Sequence, residues 1–120
     1  MLLEKVGEII VESRNSGIQT INDIIVGEWM PKTPDDIEND VLNLINSLCE
    51  KQKKELLNVI RYSVDLSFFK LLSSLEMGEC GLDFTLSATD EKGNSIALIN
   101  DSEDIELRTK FFSWVKNLGI

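Results

Sequence analysis

The chain of 120 residues contains no histidine, only two cysteines and two prolines, and no apolar run of the length that crosses a membrane. Without histidine it lacks the usual general base, the commonest zinc ligand and the ordinary partner of a nucleophilic serine or cysteine. Two cysteines are too few for a zinc site made of thiolates alone, and Cys49 and Cys80 form no C-x-x-C pair. We therefore expect no enzyme, no metal and no cofactor, and we expect both thiols to be reduced and buried.

A shortage of positive charge is the second notable feature. The chain carries 21 acidic and 12 basic residues, for a net charge of −9. This charge repels nucleic-acid phosphates and anionic membrane surfaces, and it favours a basic protein partner. The N-terminal sequence MLLEKVGEII has neither the cationic start nor the uniform apolar run of a signal peptide. We expect a cytoplasmic protein that binds neither nucleic acid nor membrane.

The N-terminal part of the chain has the apolar periodicity of helices. Residues 2–13 place apolar side chains at intervals of three and four, which predicts an amphipathic helix that ends in a left-handed cap at Gly17. Residues 18–29 repeat the pattern with isoleucines and predict a second, shorter helix. Their β-branched content is also compatible with a strand.

Two further helices are predicted after the sequence MPKTPDD. Thr33 is suited to the N-cap of the third helix and Pro34 to its first position. Ser47 and Glu50 match the S-x-x-E capping box, which predicts the start of a fourth helix. Apolar residues between positions 56 and 75 occur on nearly every side of that helix. Such a pattern is typical of a central helix that the others cover.

The period changes to two in LDFTLSAT and in SIALIN, with DEKGN between them. This pattern predicts a β-hairpin in which Gly93 supplies a positive φ. A last helix follows, capped by Asp101 or Ser102 and with Trp114 in the core. The predicted fold is a single domain over residues 1–120, mainly α with a small β-hairpin (α+β). About five helices pack around a central apolar helix, and the hairpin lies between the fourth and the last helix.

Two polar features of the sequence contain residue types that catalytic sites use. Asp90 and Lys92, with Asp83 upstream, faintly resemble the acid-x-lysine element of metal-dependent nucleases, but they fall in the hairpin turn and are expected to stabilise it. Asp65 interrupts an apolar sequence, and Arg61 precedes it by one helical turn. We expect a buried, paired carboxylate at Asp65, because burial without a partner is unfavourable.

The acidic residues are concentrated in the outer parts of the chain. Residues 1–45 carry a net charge of −6, residues 46–75 of +2 and residues 76–120 of −5. Helix capping explains part of the two densest clusters. The remainder is either a solvated face or a docking surface for a basic partner. The predicted contact residues are the apolar anchor Trp29 and eight acids, Asp35, Asp36, Glu38, Asp40, Asp101, Glu103, Asp104 and Glu106.

In size, acidity, helices with one hairpin and lack of a catalytic set, the chain resembles the bacterial immunity proteins of toxin/immunity pairs. These include the contact-dependent growth inhibition and the nuclease-bacteriocin types. The four-helix members of the latter are shorter and lack the hairpin LDFTLSATDEKGNSIALIN. The resemblance implies a non-catalytic monomer that binds one cognate toxin domain, a nuclease with a basic cleft, and blocks its substrate site.

A second hypothesis is a dedicated secretion chaperone or adaptor for an effector protein. Such proteins are also small and acidic. This hypothesis predicts a dimer with an exposed apolar groove for an extended client, whereas the first predicts a monomer.

Overall fold

A computed structural model of the chain describes residues 2–78, 81–99 and 107–120. Within these residues the elements are α1 (Leu2–Val26), α2 (Asp36–Ser47), α3 (Glu50–Met77), β1 (Leu86–Thr89), β2 (Ser95–Ile99) and α4 (Leu107–Leu118). The described structure is mainly helical with one antiparallel hairpin, as predicted. It contains four helices instead of about five, and the hairpin directly precedes the last of them.

The first two predicted helices form one continuous helix, which accounts for the difference in number. Gly17 lies within α1 without a positive φ, and the strand alternative for residues 18–26 is wrong. The helix continues because Ile18 is fully buried, which outweighs the roughly 1 kcal/mol cost of an internal glycine. The left-handed cap is Gly27 (φ 80°), whose N–H donates to the carbonyl of Ile24 at 3.1 Å.

The start of α3 differs from the predicted capping box. Ser47 is the last residue of α2, and its hydroxyl donates to the carbonyl of Leu44 at 2.6 Å. α3 begins at Glu50, and the side chain of Gln52 accepts a hydrogen bond from the backbone N–H of Cys49 at 2.9 Å. Gln52 thus forms the return contact of a capping box, from the third helical position back to the backbone N–H of Cys49.

The prediction that the fourth helix is central and covered on all sides is wrong. Val59 on α3 is 61% exposed, and Tyr62 and Leu71 are exposed as well. Leu72 is the one buried residue of α3 in the described structure. An apolar residue on every side signals burial only where another element covers every side. The other elements cover only part of α3, and the rest of its apolar surface faces solvent.

The hairpin has the predicted turn and a shorter first strand. β1 covers Leu86–Thr89 of the predicted LDFTLSAT, and its antiparallel pairing with β2 places Ala88 opposite Ile96. The register shifts by a bulge between Leu86 and Ser87. Gly93 has a φ of 87°, as the turn requires.

The structure divides into two compact units, Met1–Asn15 with Asp65–Ile120, and Ser16–Val64. We call them the first and the second unit. The first unit has an apolar core made by α1, α3, β2 and α4, with the buried residues Val11, Leu72, Leu98, Ile99, Leu107, Phe111 and Trp114. The burial of Trp114 confirms its predicted place. In the second unit the buried residues are Ile18, Ile25 and Ile45.

The N-terminus of α4 is stabilised from a distant part of the sequence. The carboxylate of Glu76, on α3, accepts a hydrogen bond from the backbone N–H of Arg108 at 3.0 Å. The guanidinium Nε of Arg108 lies 3.6 Å from the same carboxylate. A negative group at the first turn complements the positive end of the helix dipole. The predicted caps Asp101 and Ser102 lie outside the described residues.

Among the described helices, none combines the length and apolar content needed to cross a bilayer.

Candidate partner-binding surface

The N-terminus of α2 is fixed by two of the predicted contact residues. Asp35 is the N-cap: its Oδ1 accepts from the backbone N–H of Glu38 at 2.7 Å, and Glu38 Oε1 accepts from the N–H of Asp35 at 3.2 Å. This reciprocal pair is a capping box with aspartate as its first member. The prediction that Thr33 is the N-cap is wrong, because the carboxylate of Asp35 accepts from one of the orphan N–H groups of the first turn, that of Glu38, and has Glu38 as its reciprocal partner.

The other two acids of α2 have no such structural task. Asp36 and Asp40 are both exposed and lie one turn apart on the helix. Among the described residues, neither carboxylate has a hydrogen bond or an ion pair with another side chain. Two neighbouring carboxylates of this kind are free to pair with cations of a partner.

Beside these carboxylates, α2 carries an apolar stripe that the protein does not cover. Ile37 is 74% exposed, Val41 41% and Leu44 52%. Their spacing of four and three residues places them on one side of the helix. Single exposed apolar residues are ordinary on protein surfaces, but three in a row along one helix form a contiguous patch. We call Ile37, Val41 and Leu44 the α2 stripe.

The position of the stripe follows from helix geometry. Successive residues are rotated by about 100° around a helix axis. Viewed in this way, the buried side of α2 is centred on Ile45, the α2 stripe lies to one side of it, and Asp36 and Asp40 come next. The helix therefore presents a buried, an apolar and an acidic sector in that order. The apolar sector borders the unpaired carboxylates directly.

An apolar cleft adjoins the stripe within the second unit. It has a volume of about 210 Å³ and is lined by Ile21, Ile24, Pro31, Glu38, Val41 and Leu42. Val41 belongs both to this cleft and to the α2 stripe. The connection that leads from α1 to α2 exposes Trp29 (49%) and Met30. An apolar side chain of a partner in contact with Val41 thus has a concave place to enter.

The second unit therefore contains five of the predicted contact residues. Four of them lie within the first turns of α2 and at its cap, and Trp29 lies in the preceding connection. The other four, Asp101, Glu103, Asp104 and Glu106, lie outside the described residues. The residues of the α2 stripe are not among the predicted contact residues, because their periodicity is equally that of a helix face packed in a core.

Asp65 is paired, as predicted, but with a different arginine. Arg14 donates through Nε to Asp65 Oδ1 at 2.6 Å and through Nη2 to Oδ2 at 3.1 Å. The Nη1 group of Arg14 donates to Asn15 Oδ1 at 2.8 Å and to the carbonyl of Ile120 at 3.1 Å. Arg61, the predicted partner, donates to Asn58 instead. The planar guanidinium of Arg14 offers a two-pronged contact, which stabilises a part-buried carboxylate better than one exposed bond.

Asp90 has the turn-forming role expected for it. Its Oδ1 accepts from the backbone N–H groups of Lys92 at 3.0 Å and Asn94 at 2.8 Å, and its Oδ2 accepts from the side-chain amide of Asn94 at 3.0 Å. The hydrogen bond from the Asn94 side chain, followed by those from the two backbone N–H groups, lowers the pKa of Asp90 below its ordinary value of 3.8.

This lowered pKa predicts an acid-sensitive hairpin. A carboxylate with a depressed pKa in the folded state stabilises it above the ordinary pKa, and this contribution is lost as the pH falls through the folded value. The protection factors of the β1–β2 amides in hydrogen exchange should therefore fall below about pH 4. Asp90→Ala should already show the lower protection factors at neutral pH. Glu91→Ala, at an exposed neighbour in the same turn, is the control and should behave like the wild type.

Nothing in the described residues groups three or more histidine, cysteine, aspartate or glutamate side chains as ligands for a metal ion. Cys49 is exposed, and the prediction that it is buried is therefore wrong. It lies immediately before the first residue of α3 and does not belong to an apolar helix face. Cys80 lies outside the described residues.

Comparisons with models of protein families, with curated proteins and with solved structures found no match to this chain.

Proposed function

We propose that the chain is an immunity protein that binds and neutralises a cognate toxin domain without catalysing a reaction. The observation that carries the proposal is the juxtaposition on α2 of unpaired carboxylates and an uncovered apolar stripe. Protein interfaces of high affinity combine an apolar centre with a polar rim. The net charge of −9 favours a basic partner, such as a nuclease domain.

The mechanism would be competition by charge and shape. A nuclease binds the phosphates of its substrate in a basic cleft, and a protein helix with free carboxylates can replace those phosphates. The charges would mainly accelerate the encounter, while the apolar stripe would provide slow dissociation. The protein would act as a monomer in the cytoplasm and need neither nucleic acid, membrane nor cofactor.

The alternative is the acidic secretion chaperone or adaptor. Its support is the apolar surface that the first unit also leaves exposed, at Leu71, Met77 and Phe112 among others. A chaperone for an extended client requires such surface and an obligate dimer. Size-exclusion chromatography with light scattering separates the two hypotheses, since a stable dimer favours the chaperone and a monomer favours immunity.

The direct test is growth rescue. The C-terminal domain of the protein encoded immediately upstream is expressed in a bacterial host, with and without this chain. Rescue of growth together with a stable complex supports the proposal. Toxicity that this chain does not relieve would contradict it.

The carboxylates of α2 predict a specific kinetic effect on that complex. Asp36→Asn with Asp40→Asn should lower the association rate about tenfold at low ionic strength, with little effect at high salt. Stopped-flow mixing measures the rate. Glu8→Gln with Glu12→Gln is the matched control, because it removes the same charge from an exposed pair at the same spacing on α1. Equal rates for the two double variants would contradict the assignment to α2.

A further inference from the structure

The strongest unassigned feature of the molecule is the uncovered side of α2, and it specifies more than a basic partner. We infer that α2 docks an amphipathic α-helix of the partner, which contacts the α2 stripe with apolar side chains and pairs lysine or arginine with Asp36 and Asp40. This inference rests on the proposed function and adds the location and the structural class of the contact.

The spacing of the stripe is the first reason for a helical partner. Ile37, Val41 and Leu44 follow the i, i+4, i+7 pattern that packs against the corresponding ridge of another helix. α2 has 12 residues and is therefore about 18 Å long, enough for about three turns of a partner helix. The cleft of about 210 Å³ beside Val41 gives one apolar side chain of that helix a concave site.

The charges next to the stripe select the partner. Asp36 and Asp40 are exposed and unpaired among the described residues, and α2 contains no lysine or arginine. If a second copy of this chain docked here through its own α2, the Asp36 and Asp40 carboxylates of the two copies would lie at the same rim and repel each other. A helix with cations flanking its apolar side would be complementary along the whole length of α2.

A synthetic peptide is the probe for this inference. It has about 15 residues, with leucine at i, i+3, i+4 and i+7 and lysine at most other positions. One comparison peptide replaces each lysine by glutamate, and another has the same composition with the leucines distributed around the helix. Calorimetry measures affinity, and amide chemical shifts of the protein locate the contact. The patterned lysine peptide should bind with a dissociation constant of tens of micromolar and shift the α2 amides most.

Variants of the stripe separate apolar contact from charge. Ile37→Asp should weaken binding of the lysine peptide at least tenfold, although the added negative charge should attract it. Val41→Asp should do the same. Val59→Asp, at an exposed valine of α3 in the same unit, is the matched control and should leave the affinity unchanged. Ile37 is the more exposed of the two α2 positions, so Ile37→Asp should leave the fold intact. It therefore still tests the inference if Val41→Asp disrupts the fold.

Other results would contradict either the inference or the proposed function. If the patterned lysine peptide and the lysine peptide with redistributed leucines bind equally well, charge alone acts. Amide chemical-shift changes centred on Glu8 and Glu12 would place the contact on α1. Concentration-dependent self-association through α2 would identify a second copy as the occupant. If the chain neutralises the upstream toxin and Ile37→Asp does so equally well, the docking site is wrong and the immunity function stands. If the peptide binds α2 and no toxin is neutralised, the function is wrong and the docking site stands.

Discussion

Asp65→Ala is expected to lower the free energy of unfolding by about 3–5 kcal/mol, because it leaves a buried guanidinium without its counter-ion. The side chain of Arg14 is only 3% exposed and that of Asp65 21%. Removing the carboxylate abolishes both hydrogen bonds from Nε and Nη2 but cannot return Arg14 to water. Urea denaturation followed by circular dichroism measures the change.

Two further variants show whether the pair or its geometry matters. Arg14→Met with Asp65→Leu replaces both charges by apolar groups and should restore most of the stability, since a buried ion pair contributes little compared with well-packed apolar side chains. Arg61→Met should have an effect of less than about 1 kcal/mol, because Arg61 forms no ion pair among the described residues. A loss for Arg61→Met as large as that for Asp65→Ala would contradict the assignment of Arg14.

The pairing of Asp65 also illustrates what the sequence can predict. Burial of an unpaired carboxylate is unfavourable because the charge loses its hydration. The sequence therefore predicts correctly that Asp65, inside an apolar segment, is paired. The identity of the partner did not follow, because the nearest arginine in the helix competes with one that is 51 residues away in the chain. The cap of α4 by Glu76, 32 residues from Arg108, is another contact of this kind. No local pattern contains information about such pairs.

The elements themselves were predicted where local signals agree. The hairpin was found because alternation, a turn sequence and Gly93 all indicate it. The division of α1 into two helices was wrong because the NSG sequence suggests a stop, while burial of Ile18 decides in favour of a continuous helix. Tertiary packing of this kind is invisible in a window of a dozen residues.

The candidate site was predicted in its charge and missed in its apolar part. Asp35, Asp36, Glu38 and Asp40 were predicted together because four acids around the start of α2 exceed what capping uses, and the structure assigns the capping hydrogen bonds to Asp35 and Glu38. Ile37, Val41 and Leu44 could not be separated from core residues, because a helix face that packs inward and one that awaits a partner have the same periodicity. The 74% exposure of Ile37 distinguishes them, and it depends on the whole fold.

Gly7→Ala is expected to reduce the stability by about 2 kcal/mol, although alanine favours a helix more than glycine does. A Cβ atom at Gly7 would lie 2.5 Å from Cε2 and 2.7 Å from Nε1 of Trp114. The indole ring is rigid and is itself buried in the core of the first unit, so the ring and its neighbours must shift. This overpacking exceeds the gain of about 1 kcal/mol in helix propensity.

Gly17→Ala is the matched control for this clash, because the two glycines lie in the same helix and differ in their surroundings. No atom lies within 4 Å of a Cβ at Gly17, and the residue has no positive φ. The gain in helix propensity is therefore not offset, and Gly17→Ala should stabilise the protein by about 0.5–1 kcal/mol. The two variants should thus differ by about 3 kcal/mol in urea denaturation. A destabilising Gly17→Ala would mean that α1 ends at the NSG sequence after all, and equal effects at both positions would show that Trp114 does not pack on Gly7.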